Sequence, residues 1–228
     1  MKAELGFIMD FLNIMLTLIK SAGYTVSLFA IVIICAIPLG FCVTMVARCK
    51  FKPIAWLARA YIYVVRGTPL LLQLLFFCFG LYYLPFIGPM IMIKNRFAAA
   101  TIAFIINYSA YFAEIFRGGL LAVDKGQYEA AQVLGLRKGQ TMIKIIIPQM
   151  IRVCLPTLNN EAVTLIKDTA LMYAVGIVEI LNQAKSIVNG SMDISAYLAA
   201  AIIYLVLNTI LSFGLKKLEK KFAFGKTD

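Results

Sequence analysis

Glu161 and Asp168 stand seven residues apart in a stretch, residues 153–180, that is otherwise mostly apolar. Seven residues make two helical turns, so both carboxylates lie on one helix face, with Asn160 and Thr164 beside them. Lys167 and Glu179 are the other charges of that stretch, and Lys167 points to a different face. Asn107 and Glu114 repeat the seven-residue spacing in a second apolar run, and Gln73 lies in a third. Ionisable side chains inside a membrane are costly unless paired or wetted, and by default they mark a substrate path. Glu114 has Arg117 three residues on, so a local ion pair is its structural alternative. The run holding Gln73 opens with Arg66-Gly67-Thr68-Pro69. Pro69 presets the first turn of a helix, Gly67 permits a bend, and Arg66 never loses its charge. Two readings stand for this tetrapeptide. One is a capped helix start with an arginine snorkelling to the interface. The other is a break that aims Arg66, Thr68 and freed backbone amides at a central path.

Those residues need elements to hold them, and the composition says which kind. Of 228 residues, 62% are hydrophobic and 14% charged, against about 45–50% and about 25% in ordinary soluble domains. A soluble globule this small could not hide that apolar surface. A secreted disulfide scaffold, a disordered chain and a cytosolic enzyme are all excluded, and the excess faces lipid. A membrane helix needs about 20 mostly apolar residues. No charge interrupts residues 21–47, 67–93, 97–113 or 194–215. Pro85, Gly88 and Pro89 end the second run near Leu84. With the charged stretch 153–180 enclosed by protein, the chain is expected to be all-α with five transmembrane helices. Residues 1–20 read as an amphipathic lead-in, residues 21–217 as the membrane domain, and residues 218–228 as a basic tail.

Basic residues in short loops set orientation. Arg48, Lys50, Lys52, Arg59 and Arg66 follow the first span. Arg117, Lys125, Arg137, Lys138, Lys144 and Arg152 follow the third, and Lys216, Lys217, Lys220, Lys221 and Lys226 end the chain. Only Lys2, Lys20, Lys94, Arg96 and Lys185 fall opposite. The rich side is expected to be cytoplasmic, with the N-terminus outside and the C-terminus inside. Topology and anionic lipid account for the net charge of +11, so no nucleic-acid partner is implied. His is absent and no C-x-x-C pair occurs, which removes the commonest metal ligands. Cys35, Cys42 and Cys49 fall seven apart, but residues along one helix cannot bridge each other, so they read as packing residues.

The segment 120–151 is too long to be a passive connection. Tyr128, Ala131 and Leu134 recur at helical spacing, and Gly135 suits the left-handed residue that ends a helix. A second helix follows until Pro148 stops or kinks it. Two short helices at a glycine elbow can rest on the lipid surface or dock into a partner's groove, and the pattern fits both. Here the residues resemble a known family. Glu129-Ala130-Ala131, three residues, Gly135, nine residues, Ile145, one residue and Ile147-Pro148 resemble the EAA loop of ATP-binding-cassette (ABC) importer permeases. Ile147 replaces the usual Leu. Residues 63–73 (YVVRGTPLLLQ), 108–119 (YSAYFAEIFRGG) and 165–169 (LIKDT) are similar to the polar-amino-acid branch of these binding-protein-dependent inner-membrane components. The likeness runs from about residue 20 to near the end.

The resemblance implies a type I importer permease fold in the bacterial plasma membrane, with several partners. A solute-binding protein outside delivers a polar amino acid. A second permease subunit, copy or paralogue, completes the path. A dimer of ATPase subunits binds ATP and Mg and grips the coupling helix, through Tyr128, Glu129, Ala130, Ala131, Leu134, Gly135 and Pro148. This chain itself is then no enzyme and carries no cofactor. In agreement, Gly225-Lys226-Thr227 matches only the end of a phosphate-binding loop, with Lys220 where its first glycine belongs. A zwitterion requires an acceptor for its ammonium, Glu161 or Asp168, and a donor for its carboxylate, Arg66, Thr68 or a backbone amide. Gln73, Asn107, Asn160 and Thr164 complete the candidate set, and the two carboxylates lean toward a basic amino acid. An ion-coupled secondary amino acid transporter is the alternative. It predicts inverted repeats, and the sequence contains none.

Overall fold

The computed structural model describes residues 2–222, and its helices follow the apolar runs. Helix α1 (Lys2–Ala47) is followed by α2 (Lys52–Gly67) and α3 (Leu70–Leu75). A π turn (Phe76–Gly80) and a 3-10 turn (Leu81–Tyr83) extend α3, and the short α4 (Gly88–Ile91) follows. Helix α5 (Arg96–Ala122) leads to α6 (Lys125–Val133) and α7 (Lys138–Thr141). A π turn (Met142–Ile146) joins α7 to α8 (Ile147–Asp168), which ends in a 3-10 turn (Thr169–Val175). Helices α9 (Ile180–Ser191) and α10 (Ser195–Phe222) close the chain.

Four segments are long and apolar enough to cross a membrane: Met9–Ala47, Arg96–Ala122, Lys138–Val175 and Ser195–Lys221. The fifth span is the pair Lys52–Gly67 and Leu70–Tyr83, bent by 104°. The chain is therefore an all-helical membrane protein with, among the described residues, four spans and a fifth if the bent pair counts as one. Its two limbs differ from the expected uninterrupted run over residues 67–84. Leu70–Tyr83 alone reaches roughly 20 Å at 1.5 Å per residue, short of a hydrocarbon core of about 30 Å. The boundary expected at residue 20 leaves no mark in the backbone, because α1 runs on without a break. Phe11, Ile14, Met15 and Leu18 of the lead-in pack with α9 and α10 around Ile180, Ala184 and Ala199. Likewise α10 continues past residue 217 to Phe222, and residues 223–228 of the expected tail lie outside the described residues.

Helix α5 is the mast of the bundle. Fourteen of its residues are buried, many of them Ala, Ser or Gly. Lipid tails are as apolar as leucine, so close packing and hydrogen bonds hold membrane helices together rather than exclusion of water. Small residues make that close packing possible. At Gly40 of α1, an added Cβ would lie 2.7 Å from the Phe112 Cβ, 2.8 Å from the Ser109 carbonyl oxygen and 3.0 Å from the Ala113 nitrogen. One turn on, buried Thr44 donates its hydroxyl to the Ala113 carbonyl at 2.8 Å. On the opposite flank a Cβ at Gly119 would collide with the Cys154 Sγ and crowd the Met150 side chain and carbonyl of α8. Tyr61 of α2 hydrogen-bonds to the Ile106 carbonyl and the Ser109 hydroxyl of α5, both at 2.6 Å.

These contacts give the directions of the spans. Tyr24 meets Phe97 and Thr44 meets Ala113, so α1 and α5 are parallel. Cys154 meets Ile115 and Asp168 meets Tyr108, so α8 runs against α5. Asn159 reaches the Leu215 carbonyl and Thr169, past the end of α8, meets Tyr204, so α10 runs against α8. The Lys- and Arg-rich segments thereby gather at one end of the bundle. The five cysteines are all free thiols. Gly40→Val should cost about 1–3 kcal/mol through forced separation of α1 and α5. Its melting midpoint in detergent, read by size-exclusion fluorescence, should fall well below that of Gly23→Val, whose site on the same helix is open.

Candidate substrate path and coupling elbow

Pro69 starts the path. It pushes the preceding Thr68 into extended backbone, φ −119° and ψ 144°, and α2 ends there. The last turn of α2 then projects Arg66 toward α5. Its guanidinium lies 5.3 Å from the Tyr111 ring centre and 3.9 Å from the Glu114 carboxylate. Glu114 is also held by Arg117 through two hydrogen bonds, the local ion pair expected from its spacing. Across the path, α8 presents Glu161 and Asp168, both half-buried and two turns apart. Asp168 accepts a 2.7 Å hydrogen bond from the hydroxyl of Tyr108 on α5. Glu161 lies within electrostatic reach of Asp168 and of Arg66.

The remaining candidates divide. Gln73 and Asn107 come together, with the Asn107 amide donating to the Gln73 Oε1 at 3.0 Å. Gln73 in turn donates to the Thr68 hydroxyl at 2.8 Å. Asn160 and Thr164 lie beside the carboxylates on α8 and are exposed, the Thr164 hydroxyl donating to the Asn160 carbonyl of its own helix. Two aromatic residues that the sequence reading did not assign to the site now belong to it, Tyr108 and Tyr111. A hydroxyl one position from Asn107, in the middle of a span, was the available signal. Glu179 is fully buried outside this cluster, beyond the left-handed Gly176 that ends the fourth span. It caps α9 by accepting from the Leu181 and Asn182 amides at 2.8 and 2.7 Å, and it accepts from Tyr204 of α10 at 2.7 Å. Among the described residues, no three or more Cys, Asp or Glu side chains converge as a metal site requires.

At the basic end of the bundle, Asp124 caps α6 by accepting from the Gly126 amide at 2.6 Å. Gly135 has φ +71° and ends the helix: its own amide bonds the Gln132 carbonyl, and the Leu136 amide bonds the Ala131 carbonyl. Tyr128 and the buried Ala131 face inward, and Gln127 is tied to Gln149 of α8 at 2.9 Å. Glu129 and Ala130 face outward, as do Val133 and Leu134, which are 88% and 76% exposed. Pro148 does not stop the following helix. The π turn Met142–Ile146 sits just before it, with the Ile147 amide bonding the Met142 carbonyl. The wider turn accommodates a residue that lacks an amide proton and crowds the carbonyl four residues back. The span thus continues from Lys138 to Val175, so the helix that follows the elbow is the one that carries Glu161 and Asp168.

A bent span, charges turned inward and a helical elbow on one face define an ABC transporter permease. Residues 36–224 match the family model of the binding-protein-dependent transport system inner membrane component. The chain belongs to that family and is a multi-pass protein of the bacterial inner membrane. It is 34% identical to the arginine transport system permease protein ArtQ of Bacillus subtilis (strain 168), over 90% of this chain and 91% of that one. It is 37% identical to the glutamine transport system permease protein GlnP of Escherichia coli (strain K12), over 72% and 74%. The crystal structure of an amino acid ABC transporter with histidines is similar with a TM-score of 0.84 and 33% identity, covering 93% of this chain and 97% of that one.

Gly135 tests the elbow. Space around it is open, so the penalty for Gly135→Val comes from the left-handed backbone alone, about 1–2 kcal/mol. Amide exchange at Leu134 and Leu136 should quicken about tenfold, with insertion unchanged.

Proposed function

We propose that this chain is the permease subunit of an ATP-driven importer for polar L-amino acids. The observation that carries the reading is the placement of Glu161 and Asp168 on one face of α8 with Arg66 at the elbow opposite. Charges in a span are unfavourable without a use, and this set complements a zwitterion. The permeases it resembles are named for arginine and for glutamine, whose side chains differ. What those solutes share is the α-ammonium and the α-carboxylate. Asp168 or Glu161 accepts the first, and Arg66 donates to the second, since the Thr68 hydroxyl proton is engaged by the Val64 carbonyl. Asp168 keeps one oxygen free of the Tyr108 hydroxyl for this purpose. Two carboxylates around one path arginine favour a basic amino acid.

The N-terminus lies outside and the C-terminus inside, so the elbow faces the cytoplasm. There the outward Ala130, Val133 and Leu134 enter a groove on one of two ATPase subunits, which hold ATP and Mg. A solute-binding protein delivers the amino acid from outside, and a second permease subunit completes the path. Nucleotide binding biases two packings of the spans through α6, and α7–α8 carry the motion to Glu161 and Asp168 because they form one rod.

The test is uptake by proteoliposomes containing this chain with its ATPase and solute-binding protein, across a panel of amino acids. Uptake should require ATP, and Asp168→Asn should lower it for every amino acid carried. Glu161→Gln should lower cationic uptake about tenfold more than neutral uptake, a difference of about 1.4 kcal/mol. Gly135→Val should leave ATP hydrolysis running but insensitive to solute. Uptake without nucleotide, or no effect of either carboxylate substitution, contradicts the reading.

A further inference from the structure

The bend between α2 and α3 poses a hydrogen-bonding problem that the Gln73 side chain answers closely, with the Thr68 hydroxyl a longer 3.5 Å from the same Val65 carbonyl. In an unbroken helix the Val65 carbonyl would accept from the amide of residue 69, and Pro69 has none. The Gln73 Nε2 supplies that donor instead, 2.8 Å from the Val65 carbonyl oxygen. The same amide nitrogen donates to the Thr68 hydroxyl at 2.8 Å and the Thr68 carbonyl at 3.2 Å. Thr68 in turn donates its hydroxyl to the Val64 carbonyl at 2.9 Å. The amide oxygen of Gln73 is engaged as well, accepting from Asn107 of α5, which is 4% exposed. Both protons and the oxygen are therefore occupied within the chain, with no donor left for a solute.

We infer that Gln73 is a positioning residue: it clasps α2 to α3 across Pro69 and, through Asn107, fixes the elbow to α5 so that the three move as one body. Arg66 and Thr68 ride on that elbow. The inference rests on the transport reading above for its functional consequence. It replaces a solute contact by Gln73 with a main-chain one.

The test compares wild type, Gln73→Leu and Gln73→Glu in the complete transporter in proteoliposomes, from about pH 8 to about pH 5. A carboxyl donates to Val65 only when protonated, while its other oxygen accepts from Asn107. The charged and titratable groups around the elbow are Arg66 on α2, Tyr108, Tyr111 and Glu114 on α5, and Glu161 and Asp168 on α8. All are present in wild type, so the ratio of variant to wild type isolates residue 73. Gln73→Leu should lose about tenfold in kcat at every pH, with KM changed less than about twofold. Gln73→Glu should match it at pH 8 and recover at least about threefold toward pH 5. The melting midpoint of the detergent-purified complex should recover with the same sign, and it needs no transport.

A Gln73→Glu variant that works better at pH 8, or a raised KM with unchanged kcat, makes Gln73 a solute contact and overturns the clasp. Wild-type kcat and midpoint in Gln73→Leu overturn it too. If wild type carries no amino acid, the functional reading fails while the melting comparison still decides the clasp.

Discussion

The candidate site is built around α5, and α5 can serve because its neighbours reach its backbone. Gly40 brings α1 into main-chain contact with Ser109 and Ala113, and Gly119 does the same for α8 at Met150 and Cys154. In a bilayer this closeness replaces the hydrophobic drive that assembles soluble cores. It also sets the distances of the path. Asn107 meets Gln73, Tyr108 meets Asp168, and Tyr111 and Glu114 meet Arg66, over about two turns of one helix. Three other elements are thus registered against a single ruler.

Conformational change in such a bundle needs pieces that stay rigid as well as places that give. The helix that follows the elbow continues through α8, since the π turn before Pro148 keeps it whole. It ends where regular α geometry ends, at Asp168, where a 3-10 turn leads to the left-handed Gly176. The Asp168 carboxylate therefore sits at the boundary between regular and irregular backbone. On the opposite side Glu179 ties α9 to α10 through Tyr204. A buried carboxylate with three donors is well satisfied, which makes that corner an anchor.

Much of this was legible in the residues. Charge-free runs marked the spans, because no lipid-facing helix can carry idle charges. The seven-residue spacings put Glu161 with Asp168 and Asn107 with Glu114. Gly135 and Pro69 announced a left-handed helix end and a break, since φ constraints act on one residue at a time. Other features were not legible. Helix α2 read as a basic connection and α9 as outer loop, though each is a regular helix. Pro148 read as a stop or kink, and the helix does not stop there but widens into a π turn just before it. Short amphipathic helices with several polar residues resemble surface loops until something packs against them.

What the sequence by itself determined was therefore local: which stretches enter lipid, where the backbone must break, and which polar groups the membrane has to accommodate. Only the tertiary structure decided who meets whom. It set Arg66 over Tyr111, gave Asp168 the Tyr108 hydroxyl, spent Gln73 on the Val65 carbonyl and buried Glu179 under Tyr204. The physical reason is that, in a chain this apolar, a leucine facing lipid and one facing a helix look alike. Periodicity cannot separate those two faces, so partnerships between spans emerge only when backbones come close enough to exclude one another.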